Sequence, residues 1–120
     1  MKLEELKVYQ ESMEISELIW QIVIDWNYFA RDTIGKQLVR AIDSVSANIS
    51  EGFGRYHYKE NKNFCYYSRG SLYESKTWII KAFNRDLISK KSSDSLLRSL
   101  DKIGVKLNNY IKSIGRSNKQ

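Results

Sequence analysis

No proline occurs anywhere in the 120 residues, and only six glycines do. These two residue types end helices and shape tight turns, so an all-β fold or a string of short α/β units would lack its punctuation. Long uninterrupted helices remain. Hydrophobic spacing predicts four of them, over about 6–28, 33–53, 58–87 and 93–114. Leu6, Met13, Ile19, Trp20, Ile22, Val23 and Trp26 mark the buried side of the first. Asp32 or Thr33 is the expected N-cap of the second, with Ile34, Leu38, Ala41, Ile42, Val45 and Ile49 inward. Gly52 and Gly54 should stop it. The third buries Phe64, Cys65, Ser68, Ser71, Leu72, Ser75, Trp78, Ile79 and Ala82. The fourth starts near Ser92 or Ser93 and turns Leu96, Leu97, Leu100, Ile103, Leu107, Tyr110, Ile111 and Ile114 inward. The expectation is one all-α domain over 1–120, an up-down-up-down antiparallel four-helix bundle with a frayed polar tail from Gly115 onward.

Residue counts exclude several classes of function. One cysteine, Cys65, and one histidine, His57, permit no intrachain disulfide and cannot by themselves complete a tetrahedral metal site. The Gly52-x-Gly54 pair follows a helix, whereas phosphate-binding loops follow a strand, so no cofactor is expected. Glu51 with Glu74 makes a conceivable carboxylate pair and Ser44 or Ser71 a conceivable nucleophile, but no helix-core histidine serves as their base. No enzymatic role is expected. With no long apolar run, the chain reads as soluble and cytoplasmic, without membrane contact.

Charge is unevenly placed. Residues 1–30 carry two lysines against six carboxylates, while residues 61–91 carry seven basic residues against two acids, within a net charge of +6. An acidic face and a basic face on one molecule permit head-to-tail association of copies, which closes into a ring if the rotation allows. The basic part has internal order. Lys59, Lys62, Tyr66, Arg69, Tyr73 and Lys76 recur every three or four residues, interleaving cations with aromatic rings along one stripe of the third helix. Arg98, Lys102 and Lys106 add cations on the fourth, with Lys112 and Arg116 beyond. Cations neutralise phosphates and aromatic rings stack on unpaired bases, so this composition suits RNA or DNA. The competing reading is a solvated helix face whose tyrosines close an interface between chains.

A second stripe is polar where a helix would be expected to bury oil. Arg40, Ser44, Asn48, Glu51 and Arg55 recur at spacings of four, four, three and four. Small residues nearby, Ser44, Ala47, Ser50 and Gly52 on one helix and Ser68, Gly70, Ser71 and Ser75 on the next, would let two backbones approach closely. Asn48 and Glu51 would then be partly buried, with Arg40, Arg55, Ser71 or helix-end amides as partners. A simple solvated face is the alternative.

RAIDSVSANISEGFGR at 40–55 and KENKNFCYYSRGSLYES at 59–75 resemble the signature of four-helix-bundle proteins encoded in intervening sequences of bacterial 23S ribosomal RNA genes. The opening LKVYQESMEISELIW is also similar to that family's first helix. The family pattern usually has proline at the position of Ser46 and alanine at that of Ser50, so the second helix should be straighter here. The resemblance implies a homopentameric ring, similar to the accessory variability determinant proteins that partner reverse transcriptases in retroelements and present a basic surface to nucleic acid. On that pattern Arg40, Ser44, Asn48, Glu51, Gly52, Gly70, Ser71 and Glu74 are packing and assembly determinants. The function expected is a non-enzymatic homo-oligomer, pentameric in the family's manner, binding RNA or DNA. The alternative is a scaffold docking an acidic partner protein without binding nucleic acid.

Overall fold

The computed structural model describes residues 1–116. Four helices account for most of them: α1 (Lys7–Ile24), α2 (Lys36–Phe53), α3 (Tyr58–Asn84) and α4 (Lys90–Ser113), with no strand among the described residues. A short 3-10 turn, Leu3–Glu5, precedes α1. Each helix packs on the next, and α1 also packs on α4, which closes the set into a rod of 53 × 23 × 20 Å. Neighbours run antiparallel, since Val45 of α2 meets Ser68 of α3 while Gly52, further along α2, meets Asn61 and Phe64.

The core forms because each helix carries apolar residues at three- and four-residue intervals. Ile19, Ile42, Val45, Ile49, Ile79, Leu100 and Leu107 are fully enclosed. Each such side chain contributes about 1.5–3 kcal/mol when taken from water. Most core serines are tolerated because the hydroxyl finds a carbonyl: Ser12 donates to Val8, Ser75 to Ser71, and Ser68 crosses between helices to Val45 O at 2.7 Å. No buried side-chain nitrogen or oxygen among the described residues lacks a partner.

The α2–α3 seam is the most extensive contact in the bundle. Gly52 makes it possible, because a Cβ there would lie 2.8 Å from Asn61 O and 2.9 Å from Phe64 Cβ. The close approach expected from small residues is therefore real at Gly52. It is not real at Gly70, which lies on the outer surface with nothing within 4 Å of where a Cβ would be. α2 runs unbroken through Ser46, where no proline interrupts its hydrogen bonds.

Helix ends differ from those read in the sequence. α1 stops at Ile24, and Asn27 caps the next helical turn, its Oδ1 accepting from Ala30 N at 3.0 Å. That single α turn, Tyr28–Ala30, leads through a π-helical turn, Arg31–Gly35, into α2. Asp32 and Thr33 lie inside the π turn and cap nothing; the Thr33 hydroxyl donates to Phe29 O. Ser89, not Ser92 or Ser93, caps α4 by accepting from Ser92 N, and Ser93 is buried. α3 ends at Asn84 in a Schellman arrangement: Asp86 N donates to Phe83 O and Leu87 N to Ala82 O, with Asp86 itself at φ 60°. Met13 and Trp20, expected in the core, are 41% and 48% exposed on α1. At the chain's end Gly115, expected to begin a frayed tail, instead takes a left-handed φ of 83° and packs against the Tyr58 ring, while 117–120 lie outside the described residues.

Candidate nucleic-acid interface

Turning a helix by 100° per residue puts Lys59, Lys62, Tyr66, Arg69, Tyr73 and Lys76 on one flank of α3, the flank next to α4. The structure keeps them together and supplies anchors. The Arg69 guanidinium lies 4.9 Å from the centre of the Tyr66 ring and donates to Asn108 Oδ1 at 3.1 Å. Three residues on from Tyr73, the Lys76 ammonium repeats the arrangement, 5.3 Å from the Tyr73 ring and 2.6 Å from Asp101 Oδ1. Each cation is thus tied to α4 and backs a tyrosine. Lys76 already has a carboxylate neighbour, so less of its charge is available to a ligand than that of Lys59 or Lys62. At the start of α3 an open groove of about 420 Å³ is lined by Tyr58, Lys59, Lys62, Asn63 and Tyr66, with Ile114 and Gly115 from the chain's end.

The α4 cations do not extend this surface as one patch. Lys106 forms an ion pair with Glu11 of α1, and Lys102 lines a groove with Glu11, Glu14 and Leu18 on the α1–α4 seam. Arg98 is exposed on the outer face of α4, between the two seams. The acidic and basic halves of the sequence therefore meet within the molecule along α1–α4. The alternation of charge along α4 follows from Asp101 turning toward α3 while Lys102 and Lys106 turn toward α1.

The polar stripe of α2 is a surface feature held by local bonds. Ser44 donates to Arg40 O and Asn48 Nδ2 to Ser44 O, each one turn back. Asn48 is half-buried as expected, but Glu51 is exposed, because its carboxylate turns to Arg55 at 3.0 Å and not to Ser71. Arg55 also reaches Glu60 and covers the Phe64 ring at 4.8 Å. On α3, Ser71 is half-buried and its carbonyl accepts from Ser75; Glu74 is exposed and accepts from Trp78 Nε1 at 3.0 Å.

Burial governs the titration of the few perturbed groups. It pushes the Cys65 thiol up to about 11, keeping it protonated and donating to Asn61 Oδ1. It also raises Tyr110, whose hydroxyl accepts from Asn61, and raises Asp43, where the charge of Glu17 across the α1–α2 seam adds to the effect. No three His, Cys, Asp or Glu side chains cluster to hold a metal among the described residues, and none of their helices is long and apolar enough to cross a membrane. His57 lies in the α2–α3 loop with its ring edge-on to Tyr56.

One surface has no counterpart in the sequence pattern. At the α1–α2 seam an apolar cavity of about 270 Å³ is floored by Trp20, Val23, Ile24, Gly35 and Val39 and rimmed by Arg31, Lys36 and Arg40. Trp20 follows the helical period of the core, which hides its place at the cavity. The π turn, which contributes Arg31 and Gly35 to the cavity, has no signature in the spacing.

Among curated proteins nothing matches the chain. A crystal structure from Bacteroides thetaiotaomicron, of a protein with unknown function from the S23 ribosomal protein family, matches with a TM-score of 0.79 at 20% identity, covering 88% of this chain and 99% of that one. At that identity the likeness speaks for the fold. The family model described as 23S rRNA-intervening sequence protein matches residues 4–109, taking in α1, α2, α3 and most of α4 together with the 40–55 and 59–75 segments, and so the chain belongs to the 23S rRNA-intervening sequence protein family.

Proposed function

We propose that this protein is a non-catalytic, cytoplasmic homo-oligomer, a pentameric ring, that binds RNA or DNA along the α4-facing flank of α3. The observation that carries the reading is the row of cations and tyrosines from Lys59 to Lys76, with two cation-backed rings leading into a groove that holds Lys59 and Lys62. Cations at this spacing meet successive phosphates, and the rings offer stacking area. The α1–α2 cavity supports self-association, since Trp20 and Ile24 leave apolar surface in water beside Arg31, Lys36 and Arg40.

Binding of a labelled RNA measured across salt tests the nucleic-acid part. Three phosphate contacts on a single strand give a log–log slope of about −2, so affinity should fall roughly twentyfold between 50 and 200 mM salt. Lys59→Glu, Lys62→Glu and Arg69→Glu together should abolish binding while leaving helicity intact. Equal binding by that variant removes α3 from the site. A pentamer indifferent to RNA at physiological salt favours a scaffold whose basic flank docks an acidic protein.

A further inference from the structure

Gly70 occupies the interior of the 27-residue helix α3, where glycine is disfavoured relative to alanine. Nothing inside the chain requires it. An added Cβ at Gly35, Gly52, Gly104 or Gly115 would come within 3.4 Å of a neighbour, whereas at Gly70 it would meet nothing within 4 Å. Of the four helix-surface neighbours of this bare backbone, three are aromatic and the fourth is the exposed Glu74. Tyr66 and Tyr67 stand one turn before Gly70 and Tyr73 one turn after, adjacent on the surface by the three- and four-residue spacing. They are 45%, 60% and 61% exposed. Each ring has a contact partner: the Arg69 guanidinium lies over Tyr66, the Lys76 ammonium over Tyr73, and Phe64 meets Tyr67 edge-on at 5.6 Å.

We infer that Gly70 is the floor of a slot, walled by Tyr66, Tyr67 and Tyr73, that takes an unpaired nucleobase, and hence that the nucleic acid bound is single-stranded. The inference rests on the nucleic-acid reading above and narrows it. A flat base seated over a helix backbone needs the Cβ to be missing, and it gains stacking area from rings whose motion is already restricted. The adjoining charge fits a polyanion: Lys59 and Lys62 continue the stripe toward the helix N-terminus, and Lys81 stands beside Trp78 toward the other end. Glu74, one turn after Gly70 on the same face, accepts a hydrogen bond from the Trp78 indole, which directs its carboxylate toward Trp78. Duplex RNA is recognised mainly by shape and backbone and offers no free base face to such a slot.

The test uses the full chain and three fluorescent probes of equal phosphate count: a single-stranded oligonucleotide, the same strand with abasic sites, and its duplex. The single strand should bind at least about tenfold tighter than the abasic strand, the difference one or two stacked bases supply. Gly70→Leu should erase that preference while leaving helicity and oligomer mass unchanged, because the new side chain enters open space. Tyr67→Ala should reduce the preference from the opposite wall. Equal affinity for the base-bearing and abasic strands overturns the slot and leaves the electrostatic reading standing. No binding to any probe overturns both. A Gly70→Leu variant that changes oligomer mass but keeps the preference overturns the slot by assigning this face to a contact between copies.

Discussion

Two glycines in adjacent helices should answer the same substitution with opposite signs. At Gly52 an alanine Cβ would lie 2.7 Å from Asn61 Oδ1, 2.8 Å from Asn61 O and 2.9 Å from Phe64 Cβ. The Asn61 amide can rotate away, but a backbone carbonyl and a Cβ move only if α2 and α3 separate, along the most extensive seam of the bundle. Overpacking of this kind costs about 1–3 kcal/mol, with the upper part of the range applying where backbone must shift. Up to about 1 kcal/mol returns through helix propensity, less in a last turn. Gly52→Ala should therefore lose about 2 kcal/mol, or roughly 5–10 °C in Tm for a domain of this size. At Gly70 the propensity gain stands alone, so Gly70→Ala should gain about 0.5–1 kcal/mol and raise Tm by roughly 2–5 °C. Thermal and urea unfolding followed by circular dichroism reads both. A Gly52→Ala variant as stable as the parent would refute the close approach of α2 and α3. A Gly70→Ala variant as damaged as Gly52→Ala would show that the outer face of α3 is packed in solution.

The remaining predictions concern other parts of the bundle. The Cys65 thiol, pushed up from 9.0 to about 11 in the folded chain, gives up its proton sooner when unfolded, so its contribution is complete below pH 9 and declines as pH rises toward 11. The slope should approach about 1.4 kcal/mol per pH unit within that window. Urea midpoints of the parent should thus converge on those of Cys65→Ala as pH rises; parallel curves would mean the thiol titrates normally. Asp86 holds φ 60° at the end of α3, a conformation that costs a residue with a Cβ on the order of 1 kcal/mol. Asp86→Gly should raise stability by up to about that amount, and a loss would mean its carboxylate matters more than its backbone. Trp20→Lys should lower oligomer mass in light scattering without changing helicity, since Trp20 is half-exposed at the α1–α2 cavity. Unchanged mass would place self-association elsewhere.

What the sequence discloses here is periodicity, and periodicity finds helices and their inward faces well. Ile42, Val45 and Ile49 on α2, and Leu100, Ile103 and Leu107 on α4, are buried where spacing puts them. It fails where a residue's angular position lies between core and solvent. Trp20 and Met13 repeat with the α1 core but stand at its edge, so their exposure depends on how far the neighbouring helices cover them. Caps fail for another reason. Asn27, Asp32 and Thr33 all suit an N-cap by type, and a π turn, which leaves no mark on the pattern, decides that Asn27 serves. In the candidate site, the α3 stripe is legible because its members share a helix. The fate of Lys106 is not, because its partner Glu11 lies 95 residues away. Small neighbours make Glu51 look buried, but a same-helix partner four residues on, Arg55, holds it at the surface.

Whether the α3 flank binds nucleic acid is tested most directly by one titration. Size exclusion coupled to light scattering, run with a single-stranded RNA at near-physiological salt, should compare the parent with the triple variant Lys59→Glu, Lys62→Glu, Arg69→Glu. The parent should elute as an oligomer whose mass rises by bound RNA, and the variant as an oligomer of equal protein mass without RNA. Both proteins eluting alone, or both carrying RNA equally, would contradict nucleic-acid binding by this flank.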